Sequence, residues 1–193
     1  MFPSLADFNL DTCKVSKPSG YANGKSTPQP FDNGVKCMRF CKIGNPKQVN
    51  VIMRGVIKYF NEGDYGVNIQ ILPDACFLDP LCELEGYLQD SEQDSKFTGF
   101  DAGKYTMKSV MDDNFCVRLN LKCDADGLFK FTSEFAGVDD AREKLIEGES
   151  VSVTFSPGYY FNEESTYGLF MTVKDLRIVP GLEQKTARRN SKV

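Results

Sequence analysis

NFCVRLNLKC, residues 114–123, decides the fold. Phe115, Val117, Leu119, Leu121 and Cys123 fall on one side of a period of two, and Arg118, Asn120 and Lys122 fall on the other. Side chains alternate across a strand, so the stretch is expected to be a β-strand with one buried and one solvated face. DADG (124–127) supplies turn residues, and LFKFTSEF (128–135) is expected to pair back as a hairpin.

Further strands lie on both sides. VKCMRFCKI (35–43) reads as a strand, GNP (44–46) as a turn, and VNVIMRGVIKYF (49–60) as a long β-branched and aromatic strand with Gly55 marking a bulge or bend. NEGD (61–64) reads as a hairpin turn into YGVNIQIL (65–72), where Val67, Ile69 and Ile71 alternate with Asn68 and Gln70. Phe77, Leu78, Leu81, Leu84 and Leu88 recur at helical spacing and predict a helix over 78–90, with Asp79 as its cap and Pro80 at its first position. VDDAREKLIEG (138–148) predicts a short helix ended by Gly148. ESVSVTF (149–155) is a strand, SPGYYFNEES (156–165) an aromatic loop or curled strand end, and YGLFMTVKDLRIV (167–179) the last long strand. Residues 1–34 are turn-rich and read as an irregular arm, 35–180 as the domain, and 181–193 as a basic tail. Mainly β, with one or two short helices and extended termini, the pattern fits a small antiparallel barrel of the OB type.

The 193 residues carry a net charge of −4, unevenly spread. Residues 74–95 hold seven acidic side chains and no basic one, while both ends of the chain are basic. Local field, not net charge, governs a binding surface. The acidic face of the 78–90 helix reads first as solvated and second as a partner surface. The chain has no His and no Trp, which removes Ser-His-Asp and Cys-His hydrolysis, His acid–base catalysis and His-ligated zinc. Seven cysteines include no CxxC pair, and Cys37 and Cys41 lack a second pair at ligand spacing. No signal peptide or membrane-length apolar run is read. Reduced thiols and an intracellular protein, in host cytoplasm or nucleus if viral and not secreted, are the expectation.

Catalytic signatures are missing: no GxGxxG after a strand, no GxxxxGK[ST], no HExxH, no GxSxG. The acidic doublets Asp112–Asp113, Asp139–Asp140 and Glu163–Glu164 are sequence neighbours, which a strand would turn to opposite faces. The expectation is no enzyme and no cofactor or metal. Stacking with charge is the remaining chemistry. Bases stack on Tyr and Phe rings without a sequence code, and Lys and Arg neutralise phosphates. Arg54 and Lys58 share one strand face, Arg118 and Lys122 another, and Lys130 follows on the return strand. Tyr59 and Tyr65 flank a turn, Tyr105 lies between Lys104 and Lys108, and Tyr159, Tyr160 and Phe161 are consecutive. The candidate DNA-binding set is Arg54, Lys58, Tyr65, Tyr105, Lys108, Arg118, Lys122, Lys130, Tyr159, Tyr160 and Phe161.

FCVRLNLK, DADG, LFKFTSEF and EGESVSVTFSPGYYFNEESTYGLFMTVKDLRIV, in that order, resemble the C-terminal part of phage-type single-stranded DNA-binding proteins, the OB-fold proteins of podophage replication systems. YGVNIQILP (65–73) followed by a helix resembles that family's first barrel strand and helix, so the likeness spans roughly 50–180. It implies an OB fold, sequence-independent binding of single-stranded DNA, and work beside a polymerase, helicase or recombinase in replication, recombination or repair. Tyr159, Tyr160 and Phe161 take the place of the family's aromatic segment, and Arg118 and Lys122 that of its basic strand residues. The tail departs from the family: many such proteins end in acidic residues, whereas Lys185, Arg188, Arg189 and Lys192 make this one basic. Single-stranded DNA, replication or recombination proteins and a second copy of the chain are the expected partners, with no membrane. The alternative is a β-rich viral structural or assembly protein using its arms.

Overall fold

A computed structural model describes residues 2–10, 13–15, 19–22, 37–44, 49–63, 66–90, 106–161 and 166–180. Tyr65, Tyr105 and the tail 181–193 lie outside them. The strands are β1 (Lys14–Val15), β2 (Ser19–Ala22), β3 (Cys37–Gly44), β4 (Val51–Gly63), β5 (Gly66–Pro73), β6 (Thr106–Lys108), β7 (Val117–Leu121), β8 (Thr132–Ser133), β9 (Ser150–Phe161) and β10 (Thr166–Ile178). Helix α1 (Leu78–Asp90) follows β5, and α2 (Val138–Lys144) precedes β9.

Five strands make the barrel. Antiparallel ladders join β7 to β5, β5 to β4, β4 to β9, and β9 to β10. Four antiparallel steps leave β7 and β10 parallel, and the two strands come into contact. No ladder joins them among the described residues, so the sheet curls into a partly open barrel. Numbered along the chain, the five strands lie in the order 3-2-1-4-5. This is an OB-like Greek-key arrangement. The short pieces sit at the edges: β1 and β2 on β3, β3 on the second half of β9, and β6 and β8 in parallel on β10.

Alternation fills the interior. Met53 and Ile57, Val67, Ile69 and Ile71, Val117, Leu119 and Leu121, Val151, Val153 and Phe155, and Leu169, Met171 and Val173 are buried. Each such side chain contributes about 1.5–3 kcal/mol on burial, before the entropy of ordering it. Helix α1 adds Leu81 and Leu84, and α2 adds Ala141 and Leu145. One member of the acidic run is also buried. Glu85, 4% exposed, accepts hydrogen bonds from the Val110 backbone N–H and from Ser109 Oγ at 3.2 Å, fastening α1 to the segment after β6.

Several sequence expectations are corrected. Asp79 does not cap α1: a 3-10 turn at Ala75–Phe77 leads into it, so the helix begins at Leu78 and Asp79 lies in its first turn. Gly55 is not the bulge. Its hydrogen faces the Leu72 carbonyl, where a Cβ would collide, and the register shift falls between Ile57 and Tyr59. Strand β4 also runs on through Asn61 and Glu62, where the sequence predicts a turn. Phe115 leaves the core face. It is 60% exposed with φ 60, and β7 starts only at Val117. LFKFTSEF pairs back only briefly, through Cys123 with Phe129 and Lys130 N with Lys122 O at 2.9 Å. The chain then crosses to β10, where Thr132 lies opposite Asp175. SPGYYF is not a loop but the terminal half of β9, which ends at Phe161. Pro157 falls where β9 passes from the β4 ladder, ending at Phe155, to the β3 ladder, starting at Gly158. A residue without an N–H is tolerated at such a gap. Ser156 fills the same gap with a hydrogen bond to Asn50 Oδ1.

Candidate nucleic-acid interface

The alternation that sends Ile69 and Leu119 inward sends Gln70, Arg118 and Asn120 outward. The bulge in β4 adds to them. Ile57 faces Ile71 and Tyr59 faces Gln70, so Lys58 is the extra residue, and both Lys58 and Tyr59 are exposed. Two cross-strand rows result: Tyr59, Gln70 and Arg118, then Asn61, Asn68 and Asn120. Tyr59, Asn61, Asn68, Ile69, Gln70 and Arg118 line a hollow of about 200 Å³. Ligand pockets for drug-sized molecules start at about 300 Å³, so the hollow suits one ring of a longer ligand. Tyr59 is 56% exposed and forms a wall of it.

Charge on this face is basic and underpartnered. Arg118 makes no ion pair among the described residues. Beyond the end of β7, Lys122 Nζ sits 5.8 Å from the centroid of the Phe170 ring on β10, a cation–π contact that carries the face across the barrel opening. Lys130 lies next to Lys122 through their backbone hydrogen bond, so two exposed ammonium side chains stand at neighbouring positions. Like charges so placed repel, and an anion between them relieves the cost.

One carboxylate organises the rim. Asp112 Oδ1 accepts the backbone N–H groups of Asn114 and Cys116, both at 2.9 Å, and its Oδ2 accepts Gln70 Nε2. The loop 112–116 is thereby tied to the row that contains Tyr59 and Arg118. Burial first, and then the Asp112 charge, push the Cys116 thiol up, while Lys58 pulls it slightly down. Lys58 therefore lies within electrostatic reach of this loop.

Of the eleven predicted residues, Lys58 and Arg118 stand beside the hollow, while Lys122, four residues past Arg118, and Lys130 neighbour each other beyond the end of β7. Arg54 is exposed on β4 opposite Ser152, four residues before Lys58 and roughly 13 Å away along the strand. Lys108 is exposed on β6, opposite Gly168 on the free edge of β10. Tyr159 and Phe161 are corrected outright: they are 0% and 2% exposed. Tyr159 donates to the Leu84 carbonyl of α1, and Phe161 stacks on Tyr167 at 6.0 Å between centroids. Neither ring has a face for a base. Tyr160 is half-buried, its ring so close to Gly168 that a Cβ there would lie 2.8 Å from it. Burial, and then the Glu85 charge, raise its hydroxyl pKa.

Sequence reasoning missed Asn61, Gln70, Phe115 and Phe170 as members of this surface, and singled out Tyr59 as a stacking aromatic without placing it in the candidate set. Gln70 and Asn61 had a signal, since polar residues alternate with the core on their strands. Tyr59 had only its place beside a turn, because the bulge that turns it outward is not written in the alternation. Among the described residues no group of three or more Cys, Asp or Glu gathers as for a metal ion. No helix there is long and apolar enough to cross a membrane. No protein family, curated protein or solved structure matches this chain.

Proposed function

We propose that the chain binds single-stranded DNA, without reading its sequence, on the outer face of β4, β5 and β7. One observation carries this. Exposed Tyr59, Arg118 with no ion pair among the described residues, and the Lys122–Phe170 contact lie on or beside barrel strands one, three and five, and OB barrels hold oligonucleotides on the face of strands two and three. Tyr59 and Phe170 stack bases, while Lys58, Arg118, Lys122 and Lys130 take phosphates. The amides of Asn61 and Asn120 offer donors and acceptors to sugar or base. Duplex DNA hides its base faces and so forfeits the stacking. The likeness of residues 50–180 to phage-type single-stranded DNA-binding proteins supports the same reading. It also suggests a place in replication, recombination or repair beside other proteins of those processes.

Fluorescence anisotropy on labelled oligo-dT, oligo-U and a duplex at two salt concentrations tests it. Binding of oligo-dT above duplex is expected. Four basic side chains give a slope of log K against log salt near −3, at about −0.7 per phosphate neutralised. No binding of oligo-dT at low salt sinks the reading.

A further inference from the structure

Phe115 combines three properties that a packing role does not explain. Its φ of 60 puts a bulky side chain in the left-handed region, and it is the only non-glycine among the described residues to do so. Its ring is 60% exposed, so no core contact repays the strain. Its loop is held from both sides: Asp112 O accepts Phe115 N at 2.9 Å, the Asp112 carboxylate accepts Asn114 N and Cys116 N, and the same carboxylate holds Gln70 in the hollow. Strained backbone kept in place by surrounding structure is characteristic of ligand clamps. The anchoring puts the loop, which itself carries Asp112 and Asp113, beside the hollow lined by Tyr59 and Arg118, with the Lys58 charge felt at Cys116, so that a strand with stackable rings could pass from the hollow onto the loop.

We infer that Phe115 is a base-stacking residue, a platform at the rim of the hollow on which one nucleobase of the bound strand lies. The inference rests on the single-stranded DNA reading above. It extends the path of the strand from the Tyr59 hollow onto the 112–116 loop. The ring does the binding, and the left-handed backbone aims it.

Two substitutions test it on the full chain. Phe115→Gly removes the ring and suits the backbone, so it should raise the urea midpoint while lowering oligo-dT affinity about tenfold, within the range of one lost stacking contact. Phe115→Trp places the only tryptophan in a chain that has none, and its fluorescence should be quenched on saturation with oligo-dT. Wild-type affinity in Phe115→Gly overturns the inference. So does lost affinity without a gain in stability, which marks the ring as structural, and so does an unquenched Phe115→Trp that still binds. Failure of the wild-type chain itself to bind oligo-dT strikes the underlying reading instead.

Discussion

Arg118 and Lys122 contribute differently although both face outward. Arg118 lines the hollow, and Lys122 is steered onto Phe170. Replacing both with Ala should weaken oligo-dT binding and flatten the salt slope by about 1.4, two phosphates at about 0.7 each. A titration at several salt concentrations reads both, and an unchanged slope would remove the pair from the interface. Tyr159 gives the opposite expectation. Tyr159→Phe loses the hydrogen bond to the Leu84 carbonyl, costs about 1 kcal/mol of stability in denaturant unfolding, and leaves DNA affinity where it was. A drop in affinity at wild-type stability would return that ring to the site. Cys82 is exposed, yet burial of its thiol and the neighbouring Glu85 and Asp79 carboxylates raise its pKa. Its alkylation rate should therefore reach half-maximum above the ordinary thiol value of about 8.5, followed by mass spectrometry across pH. A midpoint at or below that value would contradict the electrostatics.

Strands and helices were legible where one side of the element is core and the other water. Strands β5 and β10 and helix α1 fall within two residues of the expected spans, and β7 within three, because their periodicity records a single burial direction. The 156–161 half of β9 was not legible, since residues 153–159 are buried without alternation between two neighbouring strands and α1. Segment 128–135 misled for another reason: its alternation is real, and Phe129 and Phe131 do stack at 4.8 Å, but its ladder partner changes from β7 to β10 within a few residues. The candidate surface was half legible. Its charges lay on visible strand faces, whereas Tyr59 and Phe115 depend on a bulge and a left-handed residue that no local pattern announces. Gly55 belongs to this scale as well. Gly55→Ala should cost ~1–3 kcal/mol by pushing β4 from the Leu72 carbonyl, read as a lower denaturant midpoint. Helix α2 is tied to β4 by Arg142, whose Nε and second terminal nitrogen meet the Glu62 carboxylate at 2.5 and 2.7 Å. That hydrogen bonding holds the Glu62 carboxyl below its ordinary range. A depressed carboxyl stabilises the fold above its unfolded pKa of about 4.3, and the gain disappears as pH falls through the lower folded value. Glu62→Gln should thus melt below wild type at pH 7. The gap should narrow as pH falls below about 4.3 and shrink in high salt, because the pair is exposed. A gap independent of pH would assign it to packing.

For the molecule as a whole, a net charge of −4 and a basic face proposed for binding coexist because many of the acidic side chains are placed elsewhere, Asp112 and Asp113 at the rim being exceptions. Asp79 and Glu83 ride on α1, Asp139 and Asp140 pair with Arg142 and Lys144 on α2, and Glu85 is used inside the fold. On the proposed reading, a surface arranged this way would not coat duplexes by bulk charge and would leave recognition to a few rings and cations. Strand β9 has a consequence of another kind. It is laddered to β10 along nearly its whole length and to β4 and then β3 on its other side, so its amides have no route to solvent short of dismantling the barrel. In heavy water the amide protons of Val151–Phe155 should be the last to exchange, at a rate set by global unfolding, while those of β6 and β8 exchange early through local opening. The strands proposed to face DNA would lie between these limits, and bound oligonucleotide should slow β7 and the 112–116 loop far more than β9, where exchange is expected to be slowest among the described residues.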